Sequence, residues 1–301
     1  MSFRRKLNAA LAAATGYEIR KARPSKPPAT AKPAAKPKPA SAAFTEPTDL
    51  AVDRLLTKPV FIISPVRSGS TLLRLLLDGH SLLHAPHELH IRRLEVKCST
   101  SLATRAMREL GLERGDLEHL LWDRVMHREL VKAGKSFIVE KTPSNAFVWQ
   151  RIAACWPDAR FIFLLRHPVS IAKSWHEADP QKRNEEEAAT DALRYMKAVQ
   201  KAREGRPGHV VHYEDLTADP SGELRRICEF LEIGWEPEMA EYGGRQGDLQ
   251  KGLGDWKDKI RSGSVQPGRE LPAPGEIPES LRAMCDAWGY TGVRSREEAR
   301  T

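Results

Sequence analysis

Cysteine is scarce and scattered in this 301-residue chain: Cys98, Cys155, Cys228 and Cys285 are the only four, and no two of them form a C-x-x-C pair. Neither a zinc site nor a disulfide framework is signalled, which fits a reducing compartment. No apolar run approaches the roughly 20 residues that span a bilayer. Acidic residues are nearly missing from one end. Residues 1–43 hold ten Lys and Arg against a single acid, Glu18, so this segment carries +9 and the rest of the chain −1 within a total of +8. A nearly neutral remainder excludes a domain that wraps a nucleic acid duplex, because such a domain wears its basic excess on its folded surface. No repeat of solenoid period is present.

Bulky apolar side chains are missing from residues 22–43, which are crowded with Pro, Ala and Lys. Such a stretch cannot offset the entropy of ordering and is expected to be an extended linker, bounded here at 22–45. Before it, Phe3, Leu7, Leu11 and Ala14 recur at helical spacing among Arg4, Arg5, Lys6, Arg20 and Lys21, which predicts a basic amphipathic segment over 1–21. Its apolar face is mostly Ala and buries little area, so a plain tail competes with a membrane or partner contact. The Arg4-Arg5 pair resembles a twin-arginine export signal, but the weakly apolar stretch that follows is short and interrupted by Glu18, Arg20 and Lys21. The expectation is a cytoplasmic protein, with peripheral membrane contact through residues 1–43 as an alternative, a main domain over 46–292 and a polar tail over 293–301.

From residue 46 onward strand-like and helix-like patterns alternate. Strands are read at 59–64, 136–140, 160–165 and 208–213, and helices at 70–79, 116–132, 143–154, 168–178, 184–204, 219–231 and 278–288. This predicts an α/β fold, with a central, mainly parallel sheet flanked by helices in three layers. Thr142 before Pro143, and Asp219 before Pro220, read as helix caps with Pro in the first turn.

The densest chemistry lies in residues 60–77, where an apolar run, a tight polar turn and a second apolar run follow without a spacer. The turn Arg67-Ser68-Gly69-Ser70-Thr71 points backbone N–H groups into one concavity at the start of a helix, where the dipole also favours an anion. It is not the nucleotide P-loop, which places a lysine after its second glycine. Here Arg67 precedes the single glycine, so its charge can reach the outer end of a bound phosphoanhydride. A second stretch, residues 160–175, reads as a buried strand ending at Arg166, a turn through Pro168 and a helix carrying Ser174. A guanidinium at a strand end and a hydroxyl eight residues later can converge on one phosphate. A magnesium-dependent NTPase would often place a metal-binding acid at that strand end. An arginine there points to a ligand held without a metal.

Together, the glycine turn and the Arg-x-Pro segment with its later Ser resemble the sulfotransferases that use 3′-phosphoadenosine 5′-phosphosulfate (PAPS), over most of residues 58–260. The resemblance implies a P-loop-like α/β domain. It assigns the 5′-phosphosulfate loop to Arg67, Ser68, Gly69, Ser70 and Thr71, and the 3′-phosphate to Arg166 and Ser174. Val210 to Leu216 is similar to that family's Tyr-Glu-Asp-Leu segment, which would set Tyr213 near the adenine. Residues 251–257 are similar to its late Lys-Gly…Gly-Asp-Trp segment, whose Lys251 and Gly252 would close over the 3′-phosphate; Gln250 stands where many cytosolic members have Arg.

The base is sought in His84-Ala85-Pro86-His87-Glu88-Leu89-His90, where an imidazole or a carboxylate could take the acceptor proton. Tyrosylprotein and several bacterial sulfotransferases have a Glu about this far beyond the loop arginine, which favours Glu88, with His87 second and His84 and His90 behind them. The same resemblance makes Lys141 a cation facing the transferred group. The expected reaction is in-line sulfuryl transfer from PAPS to the hydroxyl of a carbohydrate, glycolipid or small metabolite, with no metal and no nucleic acid partner. Protein tyrosine is the alternative acceptor. A nucleotide kinase or NTPase, or a non-catalytic anion-binding module, would share parts of the pattern. The missing Walker lysine counts against the first, and a working base would exclude the second.

Overall fold

The computed structural model describes Phe44, residues 49–243, Ile260 and residues 262–291. The chain divides into units 1–41 and 42–301, and the second unit carries the sheet. That sheet has five strands: β1 (Val60–Ile63), β2 (Leu83–His84), β3 (Phe137–Glu140), β4 (Arg160–Leu165) and β5 (His209–His212), in spatial order β2-β3-β1-β4-β5. Every pairing is parallel, with Val60 opposite both Val139 and Arg160, and Leu165 opposite His212. The mainly parallel α/β architecture expected from the alternation is thus present, and β1 lies at its centre.

Side chains along the strands alternate between two apolar layers, as period-2 geometry requires when both faces are covered. Phe61, Ile63, Phe161 and Phe163 point into one layer with Trp122, Trp156, Met196 and Val199. Val60, Ile62, Ile162 and Leu164 point into the other with Leu72, Leu76, Leu224 and Ile227. The helices that supply these residues include α1 (Ser70–Asp78), α2 (Arg114–Ala133), α3 (Glu185–Gly205) and α4 (Pro220–Phe230). Asp219 caps α4 by accepting from the Gly222 amide at 2.9 Å, as its place before Pro220 predicts. Among the described residues no helix is long and apolar enough to cross a membrane, and all four cysteines are free.

The helix expected over 143–154 is instead a 3-10 turn, Pro143–Phe147, followed by an α-helix over Trp149–Cys155. Thr142 does not cap it. Its hydroxyl donates to Glu140 at 2.6 Å, and the Asn145 amide also donates to Glu140, so the first turn is drawn in toward a buried carboxylate rather than wound as α-helix. The two-residue β2 and the short helices Ser101–Glu109 and Tyr213–Ala218 lie where the sequence pattern marks no such element.

Candidate active site

The turn between β1 and α1 is built on two left-handed residues, Arg67 (φ 60°) and Gly69 (φ 90°), flanking a buried Ser68 whose hydroxyl donates to the Pro65 carbonyl at 2.8 Å. Gly69 is the N-cap of α1 and no side chain caps that end, so the helix dipole faces the turn. An added Cβ at Gly69 would lie 2.3 Å from Cδ2 of Tyr213, whose ring closes one side of the turn. The Arg166 guanidinium lies 4.4 Å from the centre of that ring and donates to the Arg67 carbonyl at 2.9 Å. Arg67 donates through Nε to the Ser174 hydroxyl at 3.2 Å. The structure therefore brings Arg67, Gly69, Arg166, Ser174 and Tyr213 together. Arg166 is only 8 % exposed, burial holds its guanidinium below the usual arginine range, and its Nε has no hydrogen-bond partner. A buried, unpaired charged donor is costly, and an anion would satisfy it.

Glu214 and Tyr290 support this side, and the sequence does not single them out. Glu214 accepts from the His167 amide at 3.0 Å and from the Tyr290 hydroxyl at 2.6 Å, which ties the turn after β4 to the end of β5.

A cavity of about 330 Å³ opens beside the glycine turn, lined by Arg67, Thr71, Glu88, His90, Lys141 and Tyr195 among others. At its wall the Lys141 ammonium, 1 % exposed, lies 2.5 Å from Glu88 Oε1 and 3.5 Å from the Thr71 hydroxyl. Burial pulls the Lys141 ammonium below its ordinary range, and the Glu88 carboxylate opposes that shift. Oε2 of Glu88 lies 3.3 Å from His90 Nε2. His87 is not among the lining residues; its Nδ1 lies 3.1 Å from the Glu88 carbonyl. His84 Nδ1 lies 3.6 Å from Asp78. Lys251 and Gly252 lie outside the described residues, as do Gln250 and Trp256. Among the described residues no group of three or more His, Cys, Asp or Glu is placed to hold a metal ion.

Glu140, at the end of β3, is fully buried and accepts from the Thr142 hydroxyl, the Asn145 amide and, at 3.4 Å, the Leu89 backbone amide. The His90 amide donates to Thr142 Oγ1 at 3.2 Å, so this one carboxyl organises both segments that carry Glu88 and Lys141. Burial pushes it up to about 7 against hydrogen bonds that favour the anion. Because its folded value lies above the ordinary carboxylate value, the native state holds the proton longer than the unfolded chain. The stability this contributes is complete below about pH 4.5 and is lost as pH rises to about 7, by roughly 3 kcal/mol. Urea unfolding at stepped pH should show wild type losing this advantage over Glu140→Gln across that window. A difference between the two that does not change with pH would refute it.

A family model described as "Sulfotransferase family" matches residues 59–237. The nodulation protein NoeE of Sinorhizobium fredii is 25% identical over 218 residues, 61% of this chain and 52% of that protein. The omega-hydroxy-beta-dihydromenaquinone-9 sulfotransferase Stf3 of Mycobacterium bovis is 25% identical over 144 residues, 40% of this chain and 37% of that one. The chain thus spans about half or less of the length of these relatives. Among solved structures, the sulfotransferase domain of the Synechococcus PCC 7002 olefin synthase is 22% identical, with a TM-score of 0.60 over 82% of this chain and 98% of that domain, a likeness of fold. The matched residues run from β1 through the glycine turn, Glu88, Lys141 and Arg166 to beyond β5, and on that match the chain belongs to the sulfotransferase family.

Proposed function

We propose that this protein transfers a sulfuryl group from PAPS to an acceptor hydroxyl of a carbohydrate, glycolipid or small metabolite, with Glu88 as the base. The observation that carries the reading is the Glu88 carboxylate, held 2.5 Å from a buried ammonium on the wall of the cavity that Arg67 and Thr71 also line. The residues fit the donor: Arg166 has an unpartnered buried N–H, and Gly69 leaves the turn open where a Cβ would meet Tyr213. Arg67, Ser68, Gly69, Ser70 and Thr71 would hold the 5′ end, Arg166 and Ser174 the 3′-phosphate, and Tyr213 the adenine. PAPS supplies the sulfuryl group, whose bond to the phosphate oxygen breaks as the bond to the acceptor oxygen forms.

Glu88 takes the proton the acceptor loses, which a carboxylate can do while Lys141 occupies part of its lone-pair capacity. Lys141 and Arg67 present fixed cations to the side of the cavity where negative charge grows, which needs placement rather than proton transfer. A cavity of about 330 Å³ suits a small hydroxyl compound. The name of Stf3 gives that relative an omega-hydroxy acceptor.

The test is calorimetric titration with 3′-phosphoadenosine 5′-phosphate (PAP), ATP and 5′-AMP without metal. PAP should bind well above the other two, and Arg166→Ala should remove that preference by roughly tenfold or more, the loss of a charge-assisted hydrogen bond. Equal binding of ATP, or magnesium-dependent ATP turnover, would return the chain to the nucleotide-hydrolase class.

A further inference from the structure

Arg92 and Arg194 each contact a residue of the cavity wall, Arg93 follows Arg92 in the chain, and among the described residues none of the three is paired with a carboxylate. Arg194 lies 5.3 Å from the ring centre of Phe147 and 5.4 Å from that of Tyr195, a residue of the cavity wall. Arg92 donates to the carbonyl of Ser144, another wall residue, at 3.0 Å. Burial, then repulsion from Arg93 and to a lesser degree from Arg194, holds the Arg92 guanidinium below its ordinary range against an opposing contribution from Tyr195. Carboxylates near in sequence are already engaged: Glu95 with Arg114, Asp191 with Arg183, Glu88 with Lys141. Beneath Arg194, Phe147 meets Tyr195 edge-on at 4.6 Å and is 37 % exposed, and Trp175 lies 5.6 Å from the same Tyr195 ring.

Like charges gathered without a counter-ion repel one another and destabilise the fold that holds them. Such a group over an aromatic floor, opening on a reaction cavity, has the form of an anion site for a ligand with a flat or apolar body. None of the three arginines belongs to the set that would hold the donor. We propose that Arg92, Arg93 and Arg194 form an anion-binding rim, and that the acceptor carries a carboxylate, phosphate or sulfate group in addition to its reactive hydroxyl. This rests on the sulfotransferase reading of the same cavity. It narrows the acceptor class: the anion docks on the rim, the body lies against Tyr195 and Phe147, and the hydroxyl points toward Glu88.

The experiment uses the full chain saturated with PAP, titrated with 2-naphthyl phosphate and with 2-naphthol. The phosphate should bind tighter by roughly tenfold or more, weaken as salt is raised, and lose that advantage in the Arg93→Ala/Arg194→Ala double variant. Both replaced side chains are exposed and their repulsion is relieved, so the variant should keep or slightly raise the melting temperature and keep the PAP affinity of the wild type. Equal binding of the two naphthyl compounds, binding of neither, or phosphate binding that the double variant retains would overturn the proposal. The PAP titration reads the donor half independently: its failure would strike the sulfotransferase reading on which this proposal rests, whereas a failure confined to the naphthyl titration would strike this proposal alone. Co-sedimentation with phosphatidylglycerol but not phosphatidylcholine vesicles, lost in the double variant, would place the anion on a lipid headgroup. Binding of the soluble phosphate alone would place it on a soluble acceptor.

Discussion

Glu88→Gln should lower turnover by roughly 10²–10⁴-fold, the usual contribution of a positioned base, while leaving PAP affinity unchanged. Gln keeps one carbonyl oxygen within reach of the Lys141 ammonium, which lies 2.5 Å from Glu88 Oε1 in the wild type. What it loses is the ability to accept a proton. The variant also removes the anion beside a buried ammonium, and breaking such a pair costs stability, so a fall in melting temperature is expected too. That side effect is separable, because PAP titration counts molecules with an intact glycine turn and turnover can be normalised to them. Glu88→Asp keeps the charge but shortens its reach, and should fall between wild type and Gln. Unchanged turnover in Glu88→Gln would move the base to His90, whose Nε2 lies 3.3 Å from Glu88 and which also lines the cavity. Losses of turnover and PAP affinity in equal measure would make the carboxylate a structural partner of Lys141 and no more.

The donor side of this site is legible in the sequence because its geometry is local. A buried strand, a single glycine and an apolar helix following without a spacer leave few arrangements for Arg67 to Thr71, and the strand end fixes Arg166 in the same way. The base cluster is less legible. Residues 84–90 offer three imidazoles and one carboxylate, and the choice among them depends on a left-handed backbone at His90 (φ 50°) and on where the Thr142 and Leu89 groups find Glu140. Glu140 itself reads as the polar end of a strand. Its complete burial follows from Asn145 and Thr142 turning back onto it, the same contacts that replace the expected helix over 143–154 by a 3-10 turn. The rim arginines are invisible for a related reason, since Arg92 and Arg194 are about a hundred residues apart in sequence and share only the turn Pro143–Phe147, which one touches at Ser144 and the other at Phe147.

Gly69→Ala should abolish measurable PAP binding, although the substitution adds one methyl group. At φ 90° an alanine is strained in any surroundings, at a cost of about 1–2 kcal/mol. Here the methyl also needs space that Tyr213 occupies, with Cδ2 at 2.3 Å and Cε2 at 2.5 Å from the added carbon. The ring is not free to yield, because the Arg166 guanidinium lies 4.4 Å from its centre and is itself anchored on the Arg67 carbonyl. Pushing Tyr213 aside therefore displaces Arg166 and the turn together, which removes both ends of the donor site at once. Overpacking of this kind costs roughly 1–3 kcal/mol, so the variant should still fold with a lowered melting temperature. A second substitution distinguishes steric conflict from backbone strain. In Gly69→Ala/Tyr213→Ala the clash is gone, and stability should recover beyond the sum of the single effects, which marks the two positions as coupled. PAP binding should recover only in part, since the aromatic platform has been lost. Full binding in the single Gly69→Ala variant would show that the turn tolerates a Cβ and that its glycine is not what opens it to the donor.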